Sequence, residues 1–380
     1  MEYQYQRTGH FFAQVASGLE TLAADELKLL GASEIQEKYR GLYFKADKES
    51  LYRINYTSRL ITRVLAPLLT FDCHSDKYLY KTAMDFPWEE LFTPDQTFAV
   101  FSQVSNSNIK HSKFAALRLK DGIVDRFREK KQRRPNVDAQ NPDIWFNLNI
   151  QHNRAVINLD TSGISLHKRG YRQDTVEAPM QETLAAALVK LSGWQGETAL
   201  IDPMCGSGTI PAEAYMALTG LPSGYFRKTP GFRNLPDFDA KLWQTLKQQI
   251  DGSYQRWDVI PIQASDVDHG AVRVARRNLE HLPGGEQIAV KRMDYSKVAC
   301  PEGSTLIMNP PYGIRLRKQE DLGPFYKQLG DWLKQNARGS HAYIYFGDRK
   351  YLKFIGLKPD WKKPLMNGGL DGRLAKFVLF

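Results

Sequence analysis

Cysteine is scarce. Cys73, Cys205 and Cys300 are the only three in 380 residues, too few and too scattered for a disulfide framework. Long apolar runs are missing too: the stretch from Leu60 to Phe71 is interrupted by Arg63 and is far shorter than the roughly 20 residues a spanning helix needs. The segment Met1 to Arg7 has neither the basic start nor the apolar core of a signal peptide. There is no internal repeat and no low-complexity tract, and the eight histidines are dispersed without Cys/His ligand spacing. These absences exclude a disulfide-stapled scaffold and a helical membrane bundle. They lead to the expectation of a cytoplasmic protein in a reducing compartment, with no membrane and no metal.

What is present fits a folded chain of two or three domains. Hydrophobic residues make up 42% and charged residues 25%, near the average for globular proteins. The 52 basic residues exceed the 42 acidic ones, giving a formal charge of +10 and pointing to a polyanionic partner. From Lys110 to Arg134, ten basic residues meet three acidic ones, a local charge of +7. The remaining +3 implies that the C-terminal half need not grip a polyanion strongly by charge.

The first 160 residues alternate short strands and helices. Phe11–Val15 reads as a strand, Leu19 to Leu30 as a helix ended by Gly31, and Gly41–Lys45 as a second strand. A helix follows Asp47 with Leu51, Ile54 and Tyr56 near one face, which suits a small ferredoxin-like unit. A second unit starts near Trp88. It contains a strand at Thr97–Phe101 and a helix over 112–130 with Phe114, Leu117, Ile123, Val124 and Phe127 inward. The basic residues Lys110, Lys113, Arg118, Arg126, Lys130, Lys131, Arg133 and Arg134 then face outward as candidate nucleic-acid contacts. Ile144–Ile150 and Arg154–Leu159 flank His152-Asn153 as a hairpin. Gly163 to Arg172 links the halves. From about Gly193, short apolar runs at Thr198, Ile260, Ile288, Thr305 and Ala342 read as parallel strands buried on both faces of an open α/β sheet. The aromatic and proline-bearing segment between Tyr215 and Trp257 does not fit the sheet.

Four motifs stand at successive strand ends, where open α/β sheets bind ligands. Asp202-Pro203-Met204-Cys205-Gly206-Ser207-Gly208-Thr209 lets backbone approach a nucleoside closely. It lacks the Lys-Ser/Thr pair of a phosphate loop, and position 211 is Pro where a dinucleotide fold wants a third glycine. A glycine turn that binds nothing is the bland alternative. Asp266 is placed to accept from ribose hydroxyls, while Asp268 suits a helix cap; Asp294 can accept from an adenine amine. Singly, each acid is as often a solvated loop residue or a cap. Asn309-Pro310-Pro311-Tyr312-Gly313 is the most specific signal. Its prolines remove backbone donors, so the Asn309 amide oxygen and Pro310 carbonyl can hold an exocyclic amine whose delocalised lone pair makes it a poor nucleophile. Tyr312 offers a face for a flipped base. The competing reading is a rigid proline turn with a core tyrosine.

This combination resembles the S-adenosylmethionine-dependent amino-methyltransferases. More narrowly, the chain is similar over nearly its whole length to free-standing bacterial relatives of the large-subunit rRNA guanine-N2 methyltransferases. Lys168-Arg169-Gly170-Tyr171-Arg172 and Ala178-Pro179-Met180-Gln181-Glu182 resemble the family's segment that packs over the cofactor. The resemblance implies a Rossmann-like class I methyltransferase domain at 166–380. An α+β region precedes it: a ferredoxin-like subdomain at 1–60 and a THUMP RNA-binding domain at 61–165. It assigns S-adenosylmethionine to Met180, Glu182, Asp202, Pro203, Cys205, Gly206, Gly208, Asp266, Asp294 and Asn309, with S-adenosylhomocysteine as product. Gly206 and Gly208 line the methionine moiety, and Asp202 orders the loop or faces the methionine amino group. Asn309, Pro310 and Tyr312 form the amine-acceptor site. The implied substrate is 23S rRNA or a large-subunit precursor; tRNA guanine N2, adenine N6 in DNA, a protein glutamine amide and an inactive RNA-binding assembly factor are the alternatives. Asp202 and Asp266 are 64 residues apart, against roughly 20 in a plain α/β unit. The 215–257 insertion explains that gap and is expected to cover the active site or touch RNA.

Overall fold

The computed structural model describes residues 2–174, 179–312 and 321–380. Ala178 and Gly313 of the quoted motifs lie outside them. The chain forms two compact units, one of Met1–Val15, Ala24–Leu166 and Arg227–Gln248, the other of Ala16–Ala23, His167–Phe226 and Gln249–Phe380.

The helices are α1 (Gln4–Thr8), α2 (Glu20–Leu29), α3 (Lys48–Thr57), α4 (Asp76–Asp85), α5 (Ser112–Lys131), α6 (Glu182–Ser192), α7 (Thr209–Thr219), α8 (Ala240–Gly252), α9 (His269–Glu280) and α10 (Gly323–Asn336). No helix among the described residues is long and apolar enough to cross a membrane. In the first unit, strands β1 (His10–Val15), β2 (Ser33–Lys38), β3 (Gly41–Lys45), β4 (Ile61–Asp72), β5 (Phe98–Ser105), β6 (Ile144–Gln151) and β7 (Arg154–Asp160) form one sheet. Its order is β2-β3-β1-β4-β7-β6-β5. The run Leu60–Phe71 that is too short for a membrane is the central strand β4. Residues Val64 to Leu68 are buried on both of its faces, so it shows no alternation. The β6–β7 turn places His152 and Asn153 at φ of 50° and 59°, the left-handed pair a two-residue hairpin needs.

One expectation requires correction here. Phe114 and Leu117 are exposed rather than inward, and α5 instead buries Ala115, Leu119, Gly122, Ile123, Val124 and Phe127. The reason is close packing on α4: a Cβ on Gly122 would stand 2.4 Å from that of Ala83, so the small residues face the neighbouring helix and the bulky pair turns outward. Among the described residues, none of the 215–257 segment lines the spaces described below. Its Arg227–Gln248 portion belongs to the first unit, where Phe232 stacks on Tyr52 of α3 at 4.5 Å and Trp243 meets Tyr56 edge-on at 5.1 Å.

The second unit has strands β8 (Leu200–Asp202), β9 (Ile262–Asp266), β10 (Ala289–Arg292), β11 (Thr305–Met308), β12 (His341–Phe346), β13 (Trp361–Asn367) and β14 (Leu370–Val378). They lie in the order β10-β9-β8-β11-β12-β14-β13. The β8–β12 ladders are parallel, while β14 is antiparallel to both β12 and β13. The strand order reverses at β8, between β9 and β11, the switch point that opens a crevice at the carboxyl ends of the strands.

Behind the glycine loop, Arg169 and Glu213 of α7 form an ion pair at 3.2 Å with both side chains fully buried. Tyr171 Oη donates to the same carboxylate at 3.4 Å. Opposed charge raises the Arg169 pKa despite its burial. Glu213→Ala is expected to lower stability by about 3–5 kcal/mol by leaving the guanidinium buried without this partner. Thermal melting should show a fall of about 10 °C, and the double change Arg169→Met/Glu213→Leu should recover most of it.

Candidate active site

The loop after β8 turns through Gly206 and Gly208 at φ of 53° and 79°. Gly208 is the N-cap of α7, and a Cβ there would come within 3.3 Å of Ala275 on α9. This glycine therefore serves the approach of loop to helix and lines neither cavity described below. Cys205 N donates to Ser265 O at 2.9 Å, and Gly206 N donates to Asp266 Oδ2 at 2.9 Å. Asp266 Oδ1 accepts from Asp268 N at 2.9 Å. Each oxygen keeps a second lone pair for a ribose hydroxyl. Asp268 caps α9 by accepting from Ala271 N at 2.7 Å. At the end of β10, Asp294 takes Ser296 N and Oγ on one oxygen, at 2.9 and 2.6 Å, which leaves Oδ2 to accept an exocyclic amine.

These loops enclose a cavity of about 770 Å³ whose polar wall includes Pro203, Gly206, Asp266, Asp294 and Asn309. Tyr295, Phe325 and Trp332 make an aromatic wall, with Tyr295 edge-on to Phe325 at 5.7 Å and to Trp332 at 5.6 Å. Phe325 and Trp332 went unnoticed in the sequence; their only signal is a spacing of seven on the helix after the Asn-Pro-Pro-Tyr motif. A smaller recess of about 20 Å³ adjoins it, lined by Met180, Asp202, Cys205 and Thr209, and shares Met204, Gly206 and Asn309 with the larger cavity. Asp202 Oδ1 accepts from Met204 N at 3.2 Å and orders the loop. Burial and the nearby Asp202 and Asp266 push the Cys205 thiol well above its ordinary range, so it is no nucleophile at neutral pH.

Asn309 stands where the two spaces meet. It is 6% exposed, and its Oδ1 has no hydrogen-bond partner among the described residues. A buried acceptor left unmatched costs about 1–3 kcal/mol, so the site is built for a donor that arrives from outside the chain. A strand-tip carboxylate, an aromatic-walled cavity and a close glycine loop together fit S-adenosylmethionine.

Other expected residues sit elsewhere. Glu182 lines neither space; it is buried beside Arg172 at 3.4 Å, and desolvation raises its pKa. Arg172 also donates to Thr209 Oγ1 at 2.9 Å and Met180 O at 3.1 Å, tying the start of α7 to the segment before α6. Pro310 is buried and lines neither space. Tyr312 is 2% exposed, its ring lying on Gly347, with Asn367 Nδ2 3.5 Å from the hydroxyl. No open face is presented to a base.

In the first unit, the basic residues do not form one continuous patch. Arg126 is held by Glu89 at 2.6 Å, Arg133 by Asp95 at 2.6 Å and Lys130 by Glu129 at 3.0 Å. Arg118 lies over the Tyr80 ring, 3.5 Å from Asp76. Lys110, Lys113, Lys131 and Arg134 remain exposed without an acidic partner among the described residues. They make two patches at opposite ends of α5, roughly 30 Å apart by helical rise.

Two substitutions test the geometry. Asp266→Ala should weaken S-adenosylmethionine binding at least about tenfold in calorimetry, since it removes both the ribose acceptor and the anchor of Gly206. Gly347→Ala should leave that affinity nearly unchanged while lowering methyl transfer, because a Cβ at position 347 would fall 2.6 Å from the Tyr312 ring.

Comparison with known proteins agrees with this geometry. The model of the RMKL-like methyltransferase domain matches residues 169–376, that of the THUMP domain 73–160 and that of the RlmL ferredoxin-like domain 10–65. A Synechocystis protein described as an RNA methyltransferase is 40% identical over 374 residues, covering 98% of this chain and 97% of that one. The ribosomal RNA large subunit methyltransferase K/L of Syntrophotalea carbinolica is 39% identical over 381 residues, covering 97% of this chain and 53% of that one. The chain thus spans about half the length of that relative. Among solved structures, one described as a methyltransferase complexed with S-adenosylhomocysteine has a TM-score of 0.86 at 26% identity, covering 100% and 99% of the two chains. A Listeria monocytogenes structure described as an N6-adenine-specific DNA methylase has a TM-score of 0.84 at 25% identity, covering 98% and 97%. With its sheet, its cofactor-sized cavity and these matches in accord, the chain belongs to the RMKL-like methyltransferase family and carries ferredoxin-like and THUMP domains before its methyltransferase domain.

Proposed function

We propose that this methyltransferase, acting in the cytoplasm, transfers a methyl group from S-adenosylmethionine to the N2 amine of a guanine in 23S rRNA or a large-subunit precursor. The carrying observation is the unmatched Asn309 Oδ1 at the junction of the two spaces. The THUMP match and the naming of the K/L relatives favour RNA over other amine-bearing substrates.

S-adenosylmethionine supplies a methyl carbon on a sulfonium and is left as neutral S-adenosylhomocysteine once the carbon–sulfur bond breaks and the carbon–nitrogen bond forms. Asn309 Oδ1 accepts one amine hydrogen, favouring a geometry in which the lone pair points at the electrophile. Positive charge passes from sulfur to nitrogen, and the amide carbonyl dipole of Asn309 stabilises it there. No strong base is required beforehand, since the proton leaves to water after transfer. Most of the acceleration comes from holding amine and methyl in line.

Asn309→Ala is expected to reduce methylation of 23S rRNA by about 100-fold, measured with labelled cofactor; an unchanged rate would remove Asn309 from its role. Nucleoside mass spectrometry with primer-extension mapping, on RNA from cells with and without the gene, tests the substrate. A lost guanine-N2 methyl in 23S rRNA is the expected result. The same loss in tRNA would redirect the assignment, and loss of N6-methyladenine from DNA alone would overturn it.

A further inference from the structure

The charge left outside α5 is not evenly spread. Between Arg349 and Phe380 there are eight basic residues and two acidic ones, a local charge of +6. With +7 on the α5 segment, the rest of the chain sums to −3. The +3 outside the α5 segment thus conceals a concentrated basic stretch in the C-terminal half.

Part of this charge is neutralised within the unit, by Lys376 on Asp360 at 3.2 Å, Lys350 on Asp348 at 3.0 Å and Arg373 on Asp371 at 2.5 Å. Lys353, Lys358, Lys362 and Lys363 are exposed and have no acidic partner among the described residues. Two of them lie over rings: Lys363 Nζ is 5.7 Å from the half-buried Trp361 and Lys353 Nζ 5.0 Å from the half-buried Phe354. Lys362 and Lys363 stand on β13, the outermost strand of the sheet. That strand ends at Asn367, which accepts from Gln181 N at 3.4 Å and lies beside Tyr312. Four to five residues of extended strand, roughly 13–17 Å, separate Lys363 and Lys362 from Asn367.

We propose that Lys353, Lys358, Lys362 and Lys363, with Trp361, bind the single-stranded RNA segment that carries the target base, leading it along β13 toward Asn309. This rests on the RNA reading above and adds a second contact surface, within the catalytic unit itself. Unpaired cations beside accessible rings are the combination that holds single strands, with phosphates on the lysines and bases on the rings. Lysines and a proline on an outer strand also discourage sheet-to-sheet association. That explains Lys362, Lys363 and Pro364, but Lys353 and Lys358 lie off the strand and guard no edge.

The test compares the full chain with the triple change Lys358→Gln/Lys362→Gln/Lys363→Gln and with the charge-keeping Lys→Arg triple, each checked by thermal melting. Binding of a 23S rRNA transcript is followed between 50 and 200 mM salt, alongside methylation and calorimetric S-adenosylmethionine affinity. The Gln triple should bind RNA at least about tenfold more weakly. Its salt slope should be shallower by about 2, as three single-strand phosphate contacts imply. Cofactor affinity should not move, and the Arg triple should behave as wild type. Unchanged RNA affinity and slope in the Gln triple would overturn the surface. So would self-association in sedimentation with RNA binding intact, which would assign the lysines to edge protection. Wild-type protein that binds RNA without methylating any would overturn the proposed function while the slopes still judge the surface; no RNA binding at all would overturn both.

Discussion

Two opposite charges without access to water hold the centre of the catalytic unit. Arg169 comes from the segment that enters the unit, and Glu213 from the middle of the helix that the glycine loop starts. Such a pair is a poor source of net stability, because desolvation offsets most of the attraction. What it supplies is position. Each charge is tolerable only where the other sits, so the entering segment and α7 have one register. Arg172 extends that constraint to Thr209, the first residue of the helix. The loop ahead of that helix then has little freedom, and Gly206 can meet Asp266 across 60 residues of intervening chain.

The site follows from that fixed frame. Asp266 receives two backbone N–H groups, so its carboxylate is oriented before any ligand arrives. Such preorganisation lowers the ordering cost of binding. Asn309 is the opposite case: an acceptor held in a buried position without a donor. Asp202 Oδ2 and Trp332 Nε1 on the same walls are likewise buried without a hydrogen bond among the described residues, but Asn309 Oδ1 is the one that stands where the two spaces meet.

Legibility in the sequence divided along physical lines. Parallel strands buried on both faces announce themselves as short apolar runs, and Asp202, Asp266, Asp294 and Asn309 stood out because they follow such runs. Strand β2, with its polar Ser33–Lys38 run, and the hairpin β13–β14 have no such signature. The inward face of α5 was misread because two apolar stripes compete there, and the choice depends on Ala83, a residue on another helix. Charge counting located the basic segment but could not tell that Arg126 and Arg133 are spoken for by Glu89 and Asp95, which lie 37 and 38 residues earlier. Phe325 and Trp332 become site residues only when the helix carrying them closes the cavity, and Tyr312 turned inward because Gly347 leaves room for its ring.

The return of Arg227–Gln248 to the first unit has a bearing on synthesis. Tyr52 and Tyr56 need Phe232 and Trp243 to complete their packing. A ribosome that has released Leu166 has therefore not yet released everything the N-terminal unit is built from. At about 5–20 residues per second, the missing segment follows after several seconds, during which the aromatic face of α3 stays open. The usual order, in which an N-terminal domain closes before the next begins, does not apply here. The first unit can close only after Gln248 has emerged, and the growing chain carries an uncovered apolar surface through that interval.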